Sequence, residues 1–501
     1  MHNHRLFSLA LCLLLLCSLL AGCSPAPEPG TYPTVPPRDQ APAAENAPSG
    51  ESSAAGEQGA APDAAGETAA APTPAPTEIR LSGGSFSSDS EELTTVVTPE
   101  DLPLLESFTA LKRADFRGSG CQRELADWAL RHPEVSVRCE VRLADGTEVP
   151  ADTRELDLTG RAQAENLLAL VLLPELQSVE LGSCDNAADS DMDWEALAKA
   201  EAACPETEFR YAFRLFGKAF DLQSTEMDLN HITMDDEGAL VKKVAACLPG
   251  LTLLDMDFCE VSDEAMAEIR DSLPNTEVVW RIWFGNGRKG YTVRTNVDKI
   301  LASNPGKGGE LTPENTKSLK YCTKVRYLDL GHNDQMTDIS FVSYMPDLEV
   351  AVLAMGGFSD LSPLADCPKL EYLEMQTTAA SDLRPLSGLK NLRHLNIAYI
   401  FSLTDITPLY ELTELERLWI GAYDPVPLEQ IEEMQRRAPN CEIDYTTTDP
   451  TGGHWRYVSF DAYDHGELHP RYALLYQQFN YGAAPRCYSY IENDPLYNPH
   501  N

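Results

Sequence analysis

Positive charge is scarce in this 501-residue chain. Its 39 lysines and arginines face 78 aspartates and glutamates, for a formal net charge of −39. A chain this acidic repels polyanions, which excludes nucleic acid and anionic lipid as recognised surfaces and favours basic partners. Long apolar runs are also missing, apart from Leu6 to Leu20, which is short for a helix that stays in a membrane. No Gly-x-Ser-x-Gly elbow occurs, and nothing in the chain gathers a Ser, a His and an Asp into a triad. The sequence therefore offers no catalytic residue, no metal site and no cofactor.

What the chain does have is a repeated phrase. Apolar-x-x-apolar-x-apolar runs stand at Val325/Leu328/Leu330, Leu348/Ala351/Leu353, Leu370/Leu373/Met375, Leu392/Leu395/Ile397 and Leu415/Leu418/Ile420. Between them, in phase, come Thr337-Asp338-Ile339, Ser359-Asp360-Leu361, Ser381-Asp382-Leu383 and Thr404-Asp405-Ile406. Three of these lead into Pro-Leu, at Pro363/Leu364, Pro385/Leu386 and Pro408/Leu409. Alternation of this kind predicts a short strand with one face buried. The proline forbids a long helix and predicts a 3₁₀-like return. A fixed period of this length predicts a solenoid, because no unit can bury its apolar face alone.

These residues resemble the leucine-rich repeat family, and the Asp-Ile/Leu-x-Pro-Leu phrase is similar to the internalin type found on bacterial surfaces. The resemblance implies an α/β solenoid: a curved stack with a concave parallel sheet, and helical and 3₁₀ returns on the convex side. The ninth position, usually Asn in the family, is Asn333, Gly356, Thr378, Ile400 and Tyr423, which puts the family's buried asparagine ladder in question.

Upstream the period lengthens. Leu111/Ala114/Phe116, Leu176/Val179/Leu181 and Leu251/Leu254/Met256 repeat the strand phrase, with half-matches at Leu156/Leu158 and Met227/Leu229. Helix-then-strand phrases, with a proline just past the helix, start at Glu124, Trp194, Glu264 and Glu429. They predict an irregular N-terminal half of roughly 70-residue double units. Helix starts are also expected at Thr98-Pro99-Glu100 and Thr312-Pro313-Glu314. Cys184 and Cys259 fall at ladder positions, and Cys204 and Cys247 end helices, so the cysteines read as buried thiols although export would permit disulfides.

The expected organisation has five parts: a targeting segment over 1–23, a tether over 24–77, long-period repeats over 78–300, regular repeats over 301–448, and a Tyr/His-rich cap and tail over 449–501. Leu20-Ala21-Gly22-Cys23 resembles the lipobox of bacterial lipoproteins, which makes Cys23 the acylated residue and places the chain on the outer face of the cell membrane. A cleaved signal peptide with an accidental cysteine is the alternative. The tether is Pro-, Ala-, Gly- and Ser-rich with few large apolar residues, and as a coil it spans roughly 40 Å. Tyr472 to Phe479 has helical spacing and is expected to cap the last layer of the stack.

Three chemical motifs fail on context. Gly285 to Gly290 matches a dinucleotide fingerprint by letter, but strands on both sides make it a hairpin turn, and Gly306 to Gly309 lacks the rest of a phosphate loop. Asp189, Asp191 and Asp193 open like a calcium loop without its glycine or closing glutamate, so Asp191 or Ser190 reads as a helix cap. His465, Glu467 and His469, near Asp461 and Asp464, lack metal-site spacing.

In each strand, the residue between the last two apolar positions is expected to face solvent on the concave side. In order these are Asp115, Asp157, Glu180, Asp228, Asp255, Asp329, Val352, Glu374, Asn396 and Trp419. Two positions earlier stand Tyr327, Val350, Tyr372, His394 and Arg417. The column passes from acids to aromatics. Acids there simply solvate a sheet, or they steer a basic partner toward an aromatic anchor patch. The expected function is binding of a protein, or less favourably a glycan, on that face, with adhesion or host contact as the context the resemblance implies. An envelope scaffold is the alternative, and a hydrolase using the C-terminal region is a remote one. On this reading Trp419→Ala and Tyr372→Ala would weaken binding and leave the fold intact.

Overall fold

Short strands rich in alternating apolar residues form wherever the phrase occurs. The computed structural model describes residues 77–285, 290–303, 311–449, 453–458 and 467–481. The targeting segment with Cys23, the tether up to residue 76, the turn 286–289, the stretch 304–310 and His465 with Asp461 and Asp464 lie outside the described residues.

The N-terminal half is built from three similar blocks. Their parallel strands are Glu92–Thr94, Arg113–Asp115 and Ser136–Arg138; then Glu155–Asp157, Ser178–Cys184 and Glu208–Leu215; then Glu226–Asp228, Leu253–Asp255 and Glu277–Val279. Each block thus holds three strands where the sequence suggested two. A helix precedes every third strand: Gln122–Arg131, Trp194–Ala203 and Asp263–Ser272. An antiparallel hairpin closes each block, the last pairing Arg281–Phe284 with Tyr291–Arg294. A hairpin turns the chain back and ends parallel pairing, so each block starts a new sheet.

The regular repeats make one seven-stranded parallel sheet. Its strands are Lys299–Leu301, Tyr327–Asp329, Val350–Val352, Tyr372–Glu374, His394–Asn396, Arg417–Gly421 and Glu442–Thr447, paired in chain order. The returns are 3₁₀ turns at Lys317–Tyr321, Ser340–Tyr344, Ser362–Asp366, Arg384–Gly388 and Thr407–Glu411, with helix Leu428–Arg437 before the last strand. In-phase pairing with short returns is a solenoid-like stack. The aspartates of the Thr/Ser-Asp phrase start the turns. Asp338, Asp360, Asp382 and Asp405 each accept the N–H two residues on, at 2.7–2.9 Å. This Asx geometry pre-bends the chain at the point where the strand's pairing stops.

Three local expectations change: Thr98 begins no helix, because the short helix there starts at Leu102 with Asp101 as its N-cap. Helix Trp194–Ala203 is capped by Asp193, which accepts from Ala196 N at 3.0 Å, so neither Asp191 nor Ser190 is the cap. Thr312 begins no helix; the turn there is held by Asn315, and the 3₁₀ segment starts at Lys317. The nine described cysteines are all free. Several donate their thiol across to the previous layer, as Cys139 does to Phe116 O and Cys367 to Val342 O. Burial pushes their thiols up, to about 11 for Cys139 and Cys259 and about 12 for Cys367. Among the described residues Asn333 alone makes an asparagine rung, donating to Ala302 O and Leu330 O.

Candidate functional site: an occupied sheet face

The leucines of the seven strands point into the core against the 3₁₀ returns. Alternation sends the residues between them to the opposite face. Register then stacks Tyr327, Val350, Tyr372, His394 and Arg417 in one column, and Asp329, Val352, Glu374, Asn396 and Trp419 in the next.

That face is not open. Residues 453–458 and 467–481 lie across it. Trp455, Tyr472, Leu475 and Phe479 pack with Val350, Val352, Tyr372 and Trp419 into a second apolar cluster, separate from the main core. Tyr372 and Trp419 are 1% and 0% exposed. The two pieces of the covering segment are tied by a bridge between Tyr457 and Leu468, and His469 N donates to Arg456 O at 2.9 Å. Helix Pro470–Gln478 therefore does not cap the end of the stack. It lies on the sheet face, because its aromatic side meets aromatic strand residues there.

Glu374 organises the contact. It is fully buried, and both its oxygens are used: Oε1 accepts from Trp455 Nε1 at 2.8 Å and from Tyr372 Oη, while Oε2 accepts from Arg456 Nη2 at 2.5 Å and Gln376 Nε2 at 3.2 Å. Burial alone raises this carboxyl; the Arg456 guanidinium and these hydrogen bonds outweigh it and hold the group below the usual carboxylate range. Further along the column Tyr481 Oη donates to Asp329, and Gly331 N donates to the same carboxylate at 3.0 Å. Burial pushes Asp329 up to about 6 against these bonds. His394 is pushed down to about 3, first by burial and then by Arg471, Arg417 and His469. Arg417 donates to Trp455 O at 2.9 Å and lies 4.7 Å from the Trp455 ring centre. At the edges Lys299 Nζ donates to Gln478 O at 2.8 Å, and Tyr327 meets Phe479 edge-on at 6.4 Å.

The sequence-predicted residues thus divide. Tyr372, Glu374, His394, Asn396, Trp419 and Asp329 share one sheet and are buried beneath the chain's own segment, with Tyr327 half-buried at its rim. The expectation that they face solvent is corrected. Asp115, Asp157, Glu180, Asp228 and Asp255 sit on the three separate N-terminal sheets, so no single column runs from acids to aromatics. Their acids have a local task. Asp157, Glu180 and Asp228 accept the N–H two residues on, at 2.8–3.0 Å, and Asp329 and Asn396 make the same bond. Asp115 also pairs with Arg117, Asp228 with Lys218 and Asp255 with Arg294. The residues that sequence reasoning missed are Trp455, Arg456, Arg471 and Tyr481. Their only signal was the aromatic richness of the C-terminal region.

Comparison with known proteins adds little. No protein-family model matches the chain, and no curated protein does. An internalin (inlF) from Listeria monocytogenes aligns over 70% of this chain and 79% of its own, at 17% identity and a TM-score of 0.24. A Leptospira interrogans LRR protein aligns over 68% and 91%, at 15% identity and 0.25. The functional domain of InlJ from Listeria monocytogenes, which includes a cysteine ladder, aligns over 73% and 65%, at 12% identity and 0.24. Scores this low carry no argument, and the architecture rests on this chain's own pairing. Among the described residues no helix is long and apolar enough to cross a membrane, and no group of three or more metal-ligating side chains is placed to hold an ion.

Proposed function

We propose that this chain is an exported binding protein, lipid-anchored through Cys23 and carried on the 24–77 tether, which recognises a protein through the face of its seven-stranded sheet. One observation carries the reading: this face already holds a peptide segment, burying Trp455, Tyr472, Leu475 and Phe479 and meeting Trp455 and Arg456 with a buried carboxylate. Aromatic and arginine side chains seated in desolvated pockets are the usual anchors of protein interfaces, which favours a protein over a glycan. The net charge of −39 supports a basic partner, steered electrostatically. Bacterial surface adhesion is the context that the internalin-like phrase suggests.

The test is photocrosslinking from Tyr327, at the rim of the face, with the anchored chain on intact cells. Capture of one reproducible protein supports the reading; capture of polysaccharide alone, or of nothing, overturns it. The anchor is tested separately. Cys23→Ala should move the chain from the membrane fraction to the soluble fraction, and unchanged membrane retention would remove the lipid anchor from the proposal.

A further inference from the structure

The chemistry of the covering segment describes the ligand that the face is built to take. Trp455 and Arg456 are adjacent in sequence, and each donates to a different oxygen of Glu374. A carboxylate at the middle of a sheet face, wholly buried, with one oxygen for an indole N–H and the other for a guanidinium, is a site for an aromatic–arginine pair. The Trp455 ring is bracketed by its neighbours. Trp419 lies 5.8 Å from it, Tyr372 5.6 Å, and the Arg417 guanidinium 4.7 Å. A second hydroxyl-bearing aromatic, Tyr481, reaches Asp329 in the same column.

The segment fills this site incompletely. On the sheet side of this contact Trp419 Nε1, His394 Nδ1 and Gln376 Oε1 are buried without a hydrogen-bond partner among the described residues. Each buried polar group left unpaired weakens an interaction on the order of tenfold. A ligand that pairs even two of them gains on the segment by roughly a hundredfold before any other difference counts. The sheet face thus keeps unpaired polar groups beneath its occupant.

We infer that the sheet face is a receptor for a peptide in which an aromatic residue is followed by arginine, and that residues 453–458 and 467–481 are a built-in competitor which such a peptide displaces. The inference rests on the reading of the chain as a binding protein and names the partner's chemistry. The face then has two states, covered by its own segment or filled from outside, and the outside peptide must also supply groups for Trp419 Nε1 and His394 Nδ1.

The probe is a fluorescent synthetic peptide of residues 453–481, added to the full chain. Binding to full chain carrying Arg456→Ala, whose own segment is weakened, should be at least about tenfold tighter than to the unmodified chain. The same peptide carrying Arg456→Ala should bind at least about tenfold more weakly than the original. Equal binding by both peptides, or by both forms of the chain, overturns the inference. Because a variant chain can misfold, amide exchange on the unmodified chain provides a second reading. Residues 467–481 should exchange at least about tenfold faster than strand Tyr372–Glu374, as a segment that lifts without unfolding the sheet must. Exchange as slow as the strand makes the segment a permanent part of the core and sinks the idea. The two proposals fail separately. A cell-surface partner whose capture ignores Glu374→Gln overturns the aromatic–arginine site and leaves the binding function standing. Specific peptide binding without any cellular partner does the reverse.

Discussion

Glu374 concentrates the chemistry of this protein in one side chain. A carboxylate taken wholly out of water is costly unless its partners are all in place, and here four donors supply them. Glu374→Gln keeps the shape and removes the charge. It should weaken docking of residues 453–458 and 467–481 by about 2 kcal/mol, read as faster exchange in those residues with the repeat strands unchanged. Trp419→Ala should behave as a core deletion and cost about 3–5 kcal/mol, because the ring is fully buried. The sequence-based expectation that this variant leaves the fold intact assumed an exposed ring. Acid should act through two groups of opposite sign. His394 is depressed to about 3 from an ordinary value of about 6.5, so its contribution is present above pH 6.5 and is lost progressively as pH falls from there toward 3. Asp329 is raised to about 6 from about 3.9; its docked state holds the proton, so acidification through pH 6 toward 4 strengthens docking and rising pH weakens it. Protection of residues 467–481, relative to the intrinsic exchange rate at each pH, should therefore fall from pH 7 to 4 in an Asp329→Asn variant and rise in a His394→Gln variant. Matching pH profiles in the two variants would refute both assignments.

At the level of the repeat element, the strand phrase hid a second regularity. His332, Met355, Thr377 and Tyr399 all take the left-handed conformation, with φ between 59° and 63°. Each follows a strand at the same place in the repeat, and the first three donate their N–H to the next layer. Non-glycine residues pay steric strain there, of about 1–2 kcal/mol, and a β-branched residue fits worst. Thr377 is exposed, so Thr377→Gly removes strain without opening a cavity. Glycine's extra chain entropy offsets about half of the gain, leaving a net stabilisation of about 0.5 kcal/mol, measurable as a small rise in Tm. The same element explains the acids. Asp157, Asp228 and Asp329 sit where a carboxylate can cap the turn out of the strand, a local reason that needs no partner. The cysteines answer to the element as well. With thiols buried and pushed up, Cys139, Cys259 and Cys367 should resist alkylation in the native chain and react only in denaturant, and a reducing agent should leave Tm unchanged.

For the whole molecule, the face and its cover belong together. Removing residues 449–501 would bare Tyr372, Trp419, Val350 and Val352 as one apolar patch. Such a truncated chain should bind a hydrophobic dye and associate with itself despite its net charge, and a monomeric, dye-negative product would contradict the contact. Periodicity of two and of 22 to 23 residues, carried by leucines and by the Asp of each return, was enough to determine the parallel sheet, its register and the 3₁₀ returns, and helical runs stopped by a proline marked the helices before each block's last strand. Each follows from residues within one repeat of each other, so the sequence states them directly. Which sheet each acid joins depends on where hairpins interrupt pairing, and the occupant of the aromatic face depends on contacts such as Trp455 to Glu374, 81 residues apart. No spacing rule links positions that far apart outside the repeat. Only the folded chain decided that Glu374, Tyr372 and Trp419, which the pattern sends to one open face, are covered by their own C-terminal segment.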